Sequence, residues 1–361
     1  MAITARVIAT TISKFVYEDT PAIFRNRKLW AILNDRGRIT FNNAGKNFQW
    51  QVKYRQHDLM AYNDGQTIAF PPQNQWVDAV LDYRGYFMTD SVSIREKLQN
   101  AGDQALIDVF GGMAERMMED TKEKLGEEAY IDGNLAANTA RFHGLESFMS
   151  ASGPLAGKKV AINNDSYAGL STVLAAKGGT WNPLGSWPTG TGDSEYDYWT
   201  PLLVNYIDTG FAAATPSWLA NCIEALRYGI IKAKKNVNKD GAIDLVMLTD
   251  DMYQDFNNAY EDKMRLNISR DDGSSGLWKL GFRDILNFDG VDVTYEYGVP
   301  AASGYGLPMG VIEMKSQHST LIHPFAPFFD INSLADKFAL SILGNLQFKQ
   351  LRNFVKWGSY S

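Results

Sequence analysis

The chain has 361 residues, of which 45% are hydrophobic and 12% aromatic, and a formal net charge of -6. This is enough apolar material for one large or two modest domains, and the acidic balance argues against a protein that grips nucleic acid on a basic face. The single cysteine, Cys222, excludes an internal disulfide; set among Leu219, Ile223 and Leu226, it reads as a buried helical thiol in a reducing compartment. No apolar run reaches membrane-spanning length and the N-terminus has no signal-type apolar core, so the chain is expected to be soluble in a cytoplasm.

The first forty residues read as a loose arm with one short helix. Thr20-Pro21 supplies a cap and a first-turn proline, and Ile23, Phe24, Trp30, Ile32 and Leu33 follow. Next, Phe48-Gln49-Trp50-Gln51-Val52-Lys53-Tyr54-Arg55 alternates apolar and polar residues, the period-two pattern of a strand with one covered face. A second β-rich run covers 76–88, with Val77, Val80, Leu81, Tyr83, Tyr86 and Phe87. Between them, Asn63-Asp64-Gly65 reads as a turn, and Pro71-Pro72 blocks a central-strand role. The two runs predict an extended hairpin. A lone two-stranded ribbon is marginal in water, so it either lies on its own domain or reaches a neighbour.

Ser93-Ile94-Arg95-Glu96 fits a capping box. Apolar residues then recur at helical spacing: Ile94, Leu98, Ala101, Ala105, Leu106, Val109, Phe110, Met113, Met117, Leu125 and Ala129. They predict one helix from 93 to a cap at Asp132-Gly133-Asn134. Such a helix is about 58 Å long, against a diameter of roughly 53 Å for a compact globule of this size, which implies a flat or elongated molecule. Gly111-Gly112 in mid-run predicts a bend or a close backbone contact.

From 150 to 200 the chain is rich in Gly, Ser, Pro and Thr and carries Trp181, Trp187 and Trp199; ordered surface loops and a boundary near 150 are expected. An amphipathic helix follows over 216–235, with Trp218, Leu219, Cys222, Ile223, Leu226, Ile230 and Ile231 near one face. A strand over 243–248 leads to Thr249-Asp250-Asp251, which caps a helix to about 266. Strand-like runs at 291–297, 309–315 and 319–323 precede a last stretch, 338–357, that mixes apolar and basic residues.

Little in the chain points to chemistry. His57, His143, His318 and His323 have no metal-ligand spacing, and no nucleophile elbow or Walker sequence occurs. Gly190-Thr191-Gly192 and Gly304-Tyr305-Gly306 lack the third glycine of a phosphate loop, and Asp271-Asp272-Gly273 lacks the remaining ligands of a calcium loop. No catalytic set, cofactor or metal is expected. A carboxylate-dependent, glycan-active enzyme remains an alternative, since dispersed carboxylates leave no compact signature and the chain has nine tryptophans.

The order of elements resembles the major capsid proteins of tailed bacteriophages, the HK97-like fold family. Leu245-Val246-Met247-Leu248-Thr249-Asp250-Asp251-Met252-Tyr253 looks like that family's axial-domain strand passing into a helix. Leu286-Asn287-Phe288-Asp289-Gly290-Val291-Asp292-Val293, with Val299-Pro300 after it, is similar to the later strand-turn-strand pattern. The resemblance implies an α+β architecture: an N-terminal arm (1–40), an extended hairpin loop (41–92), a peripheral domain with a long spine helix (93–149), an axial domain (150–335) and a C-terminal return to the peripheral domain (336–361). It implies a structural, non-enzymatic protein that assembles with itself as hexamers and pentamers into an icosahedral head shell, enclosing DNA without sequence-specific binding and without contact with a membrane. Assembly in the host cytoplasm, a place in the virion, and separate scaffolding, portal and decoration proteins are implied as partners and setting. No long charged scaffolding segment precedes Ala22, so a separate scaffold or none is expected, and nothing local marks a lysine for covalent crosslinking. In such a shell Phe48, Trp50, Val52 and Tyr54 are expected to form the covered face of the arm, Tyr83 and Phe87 to lie near its base, and Arg55 and Asp78 to supply charged pairs between subunits. An encapsulin-type bacterial compartment shell shares the fold and is the nearest alternative.

Overall fold

A computed structural model describes residues 27–53, 60–67, 72, 75–99, 103–154, 159–172, 199–211, 215–234, 241–261 and 284–360. Helix α1 (Lys28–Asp35) leads to strands β1 (Ile39–Thr40), β2 (Asn47–Lys53), β3 (Trp76–Asp82) and β4 (Arg84–Ser93), then to helices α2 (Ile94–Gln99) and α3 (Asp103–Glu128). Short strands β5 (Ala151–Pro154), β6 (Ala161–Asn163), β7 (Ser166–Tyr167) and β8 (Leu170–Ser171) follow. The second half contains β9 (Leu202–Asn205), α4 (Trp218–Ala233), β10 (Leu245–Leu248), α5 (Asp250–Glu261), β11 (Leu286–Phe288), β12 (Val291–Tyr295) and β13 (Gly304–Leu307). It closes with β14 (Ile312–Ser316), β15 (His323–Pro324), β16 (Phe328–Asp330), β17 (Ala335–Phe348) and β18 (Val355–Gly358).

Two six-stranded sheets organise these elements. In the first, β17 is the axis: β4 runs antiparallel along one side over ten residue pairs, from Ala335 opposite Ser93 to Gly344 opposite Arg84. β14, β15 and β16 line the other side in succession, and β1 adds to β14 in parallel. The second sheet has the order β11-β12-β10-β13-β18-β9 and is buried between helices and loops: β10 is apolar throughout, and β18 is buried along its length with Lys356 as its charged member. The expected C-terminal return thus divides: β17 joins the sheet that carries β4, whereas β18 inserts between β13 and β9.

The expected run over 76–88 is two strands, not one. β3 pairs with β2, and after Tyr83 the chain changes sheets to pair as β4 with β17. Two contacts impose the break. The Arg84 guanidinium donates to the carbonyls of Gly133 (2.7 Å), Asn138 (3.2 Å) and Arg141 (2.8 Å), and at Gly85 any Cβ would overlap the Leu343 side chain.

The long helix begins as its capping box predicts, with Ser93 Oγ accepting from the Glu96 amide at 3.2 Å. It is assigned as α2 and α3, with residues 100–102 outside the described residues. It stops at Glu128, short of the expected Asp132, because the chain folds back: Tyr130 N donates to Glu127 O (3.0 Å) and Leu145 N to Ala129 O (2.9 Å). The helix passes through Gly111 and Gly112 unbroken, and the close contact occurs at Gly126, whose carbonyl lies 2.9 Å from where a Cβ on Gly298 would stand. α1 packs Leu29, Trp30, Ile32 and Leu33 into the core, with Trp30 Nε1 donating to Leu125 O at 3.0 Å. Ser217 caps α4 through Ala220 N, and Cys222 is buried within it as expected. The expected N-terminal start of α1, the extension of α5 to 266 and the loops with Trp181 and Trp187 lie outside the described residues.

A buried polar joint ties α1, α3 and the second sheet together. Glu296 Oε2 accepts from Leu29 N (3.3 Å) and from the Tyr130 hydroxyl (3.1 Å), while Lys28 Nζ donates to Thr294 Oγ1 (2.7 Å) and Tyr295 O (2.8 Å). Burial raises the Glu296 and Tyr130 pKa values and lowers that of Lys28.

His143 joins the loop after α3 to β17: its amide donates to Asn345 Oδ1 at 2.9 Å, and its Nδ1 lies 3.0 Å from Asn345 Nδ2. Burial, and then the Arg84 charge, lower its pKa to about 3. The unfolded chain takes up this proton near pH 6.5 and the folded chain does not, so the stability held by the neutral ring is lost as pH falls from about 6.5 towards 3. We expect a decline of up to about 1.4 kcal/mol per pH unit from this group. Denaturant midpoints from pH 7 to 4 should fall less steeply for His143→Gln than for the unaltered chain.

Candidate assembly surface

β2 and β3 pair in register from Asn47 opposite Asp82 to Lys53 opposite Trp76. Directly opposed residues share a face, so Phe48, Trp50 and Val52 lie with Leu81, Ala79 and Val77. Gln49, Gln51 and Lys53 lie with Val80, Asp78 and Trp76 on the other face. The period-two reading of this strand holds.

What covers the apolar face is this chain itself. Phe48, Val52, Ala79 and Leu81 belong to the main core, and Trp50 and Val77 pack against it. Phe48 meets Trp50 at 5.9 Å and Tyr83 at 5.2 Å, with Lys315 Nζ 5.3 Å above its ring; Trp50 meets Tyr167 at 6.2 Å. The β7–β8 turn adds a main-chain bond, Val80 N to Ala168 O at 3.0 Å. Within the subunit the burial of Phe48 and Val52 is intramolecular, because the base of the hairpin lies flat on its own domain. Tyr83 follows β3 at that base and is half-buried, whereas Asp78 and Phe87 are exposed; Tyr54 and Arg55 lie outside the described residues.

The surface left uncovered is elsewhere. The hairpin tip exposes Met60 (55%) and Tyr62 (58%) ahead of the Asn63-Asp64-Gly65 turn, closed by Gln66 N donating to Asn63 O at 3.1 Å, with Gly65 at φ 84°. The outer face of the hairpin exposes Trp76 and Val80. The face of the first sheet turned away from α3 carries a row of rings. Phe87 (63% exposed) stacks on Phe325 at 6.3 Å, Phe325 meets His323 edge-on at 5.4 Å, and His323 stacks on His318 at 4.5 Å. His318 Nε2 lies 2.9 Å from Ser341 Oγ, and burial followed by the nearby His323 lowers the His318 pKa. Beyond the row, Phe328, Ile331, Leu334 and Leu98 are also exposed. Contiguous exposed apolar residues of this kind mark interaction surfaces.

Sequence reasoning singled out Phe87 in this set and missed Met60, Tyr62, Trp76, Val80, Phe325 and Phe328. A usable signal existed for two of them: Met60 and Tyr62 belong to a short apolar run, Leu59-Met60-Ala61-Tyr62, set between polar residues ahead of a turn. Among the described residues no group of three or more His, Cys, Asp or Glu is arranged to hold a metal ion, and no helix is long and apolar enough to cross a membrane. The buried acids are engaged by the chain itself: Glu128 with Arg141 and Tyr86, and Glu146 with Tyr305 and with Lys356 Nζ at 2.7 Å.

No family model matches the sequence, and no curated protein does. Solved capsid structures do match. The chain is similar to a subunit of the cyanophage A-1(L) capsid, with a TM-score of 0.56 and 16% identity over 94% of this chain and 92% of that one. It is similar to the capsid of a native GTA particle, with a TM-score of 0.54 and 11% identity over 91% and 90% of the two chains. For the capsid of an empty GTA particle the TM-score is 0.51 and the identity 10%, over 90% and 96%. The likeness is one of fold and extends over nearly the whole chain: this is the HK97-like, α+β architecture of capsid shells.

Two substitutions separate the covered face of the hairpin from the open one. Phe48→Ala should destabilise the isolated subunit by about 3–5 kcal/mol, and Trp76→Ser by no more than about 0.5 kcal/mol. Denaturant unfolding of both variants checks this; equal losses would mean that the hairpin does not lie on its own domain.

Proposed function

We propose that this chain is the major capsid protein of a tailed bacteriophage, many copies of which tile as hexamers and pentamers into the icosahedral head shell around the DNA genome. One observation carries the reading: a fold shared over nearly its full length with capsid subunits presents exposed apolar side chains, on the hairpin and on the first sheet, that the described residues leave uncovered. The mechanism is geometric. Each contact between copies is small, but closed symmetry makes every copy both donor and acceptor, so modest contacts add to a stable shell.

The reading assigns the chain no catalytic step. A net charge of -6 suits a wall that contains DNA without gripping it. Assembly in the host cytoplasm, a separate scaffolding protein, a portal at one vertex and decoration proteins outside belong to the same proposal. Asp78, exposed on the outer face of the hairpin, is the carboxylate best placed there for a charged pair with a neighbour, and such pairs contribute only about 0–1 kcal/mol each.

Negative-stain electron microscopy of the overexpressed protein tests the proposal. We expect closed shells of uniform size, and we expect Trp76→Asp to leave the subunit folded by circular dichroism while shells are lost. A chain that stays monomeric at high concentration, with no shells even beside its co-expressed scaffold, would sink the reading.

A further inference from the structure

The sequence contains five Asp-Gly steps: Asp64-Gly65, Asp132-Gly133, Asp240-Gly241, Asp272-Gly273 and Asp289-Gly290. At each of them the chain can react with itself. The glycine amide nitrogen is one ring closure away from the aspartate Cγ, and a residue without a Cβ hinders neither the approach nor the backbone rotation it needs. A bond forms between that nitrogen and Cγ, and a Cγ–O bond breaks. The oxygen leaves as water, carrying the amide proton and the proton of the carboxyl group, and a five-membered succinimide remains. Water then adds at one of the two imide carbonyls. Cleavage of the N–Cγ bond restores aspartate; cleavage of the original peptide bond gives isoaspartate, in which the main chain runs through Cβ and Cγ. One water is lost and one regained, so no oxidant or further reactant enters. The reaction does require a carboxyl group and an amide that are both free, on a segment able to rotate.

The fold withholds those conditions at two steps. At Asp132-Gly133 the Gly133 amide donates to Ser147 Oγ at 2.8 Å, and Asp132 Oδ1 accepts from Asn134 N at 2.8 Å. Gly133 is also buried, with Phe142 O 2.7 Å from where a Cβ would stand, so the backbone there has no room to rotate. At Asp289-Gly290 the carboxylate is held by Arg227, whose Nε donates to Oδ2 at 3.1 Å. Both residues have positive φ, 50° and 81°, in a two-residue turn clamped between the paired strands β11 and β12, where Phe288 stands opposite Val291. Asp240 and Asp272 lie outside the described residues.

Asp64-Gly65 meets all of them. The tip turn is closed by Gln66 N donating to Asn63 O at 3.1 Å and by Asn63 N donating to Gln66 Oε1 at 3.4 Å. Both bonds leave out the Asp64 carboxylate and the Gly65 amide, which have no partner among the described residues. Residues 61–67 are all exposed and in no helix or strand, and nothing lies within 4 Å of where a Cβ on Gly65 would stand. We propose that Asp64-Gly65 is a site of spontaneous isoaspartate formation in the folded subunit, selected by structure over the Asp-Gly steps at 132 and 289. The rearrangement leaves mass and net charge unchanged and alters shape. The ring closed by the Gln66 to Asn63 bond grows by one main-chain atom, and a carboxylate on Cα takes the place of the Asp64 peptide carbonyl.

The test is to hold the full-length, unassembled subunit at neutral pH and physiological temperature, and to withdraw samples over time. Isoaspartate is counted by enzymatic methylation of its free carboxylate and located in proteolytic peptides by electron-transfer fragmentation, which breaks the isoaspartate Cα–Cβ bond. We expect the signal to grow in the peptide that contains residue 64. The steps at 132 and 289 should lag by about tenfold or more, since the hydrogen bonds that hold them must first open. Asp64→Glu, whose imide would need a six-membered ring, should lose the tip signal without disturbing an exposed turn. In denaturant the tip should lose its lead and the three steps should convert at similar rates. A free peptide spanning residues 61–67 serves as the positive control. If that peptide converts while residue 64 of the folded subunit does not, the site is refuted. If the steps at 132 and 289 convert as fast as the tip in the folded chain, or if the tip keeps its lead in denaturant, selection by structure is refuted.

Discussion

The pairing of β17 with strands on both of its sides is the constraint on which the rest depends. Ten consecutive pairs tie it to β4, and three separate strands tile its opposite side. Because side chains alternate between faces, a slip of one residue would turn Phe338, Leu340 and Ile342 out to solvent and bring Lys337 and Ser341 in against α3. The register is held by more than apolar burial. Asn345, fully buried, accepts from the His143 amide and donates to Asp82 O at 2.9 Å, joining the loop after α3, β17 and the end of β3 in one bond network. The hairpin's second strand, β3, runs directly into β4, which belongs to this sheet, so the base of the hairpin inherits the rigidity of β17.

A second joint sets how the two sheets meet. Buried carboxylates cost free energy unless they are hydrogen-bonded, and Glu296 meets that condition at Oε2 alone, with one main-chain and one hydroxyl donor from different elements, while its buried Oε1 has no partner among the described residues. Removing either donor would leave the acid buried and short of partners, so α1, α3 and β12 are coupled through a group that tolerates little displacement. Gly126 and Gly298 bring the helix and the turn after β12 into backbone contact at the same place.

Local signals in the sequence were reliable where local physics decides the outcome. Alternation over 48–53 identified β2 and its faces, the Ser93 and Ser217 caps marked two helix starts, and the apolar run over 245–248 is the centre of the second sheet. The misses arose where distant contacts decide. Tyr83 reads as mid-strand because residues on both sides favour β structure; the break comes from Arg84 and Gly85 meeting partners from 49 to more than 200 residues away. β17 was illegible as an axis because Ser341, Gly344, Asn345 and Gln347 suggest a surface stretch, yet its polar members are buried. Periodicity shows that one face of a hairpin is covered. It cannot show by what; within the subunit Phe48 has Trp50, Leu81 and Tyr83 beside it and the core behind them.

That distinction changes what the hairpin is able to do. Aromatic residues at its base anchor it to its own domain, and among the described residues of the tip the large apolar groups are Met60 and Tyr62. A strong hydrophobic tip would drive indiscriminate association; a small one on a rigid mount makes association depend on geometry. The charge of -6 acts in the same direction, since like-charged copies repel at long range, and that repulsion is screened within about 8 Å at physiological salt. Only contacts that bring apolar side chains together at short range overcome it, and a stiff base limits the orientations in which they do so. Weak, oriented contacts are also reversible, which lets a misplaced subunit leave before a closed shell traps it.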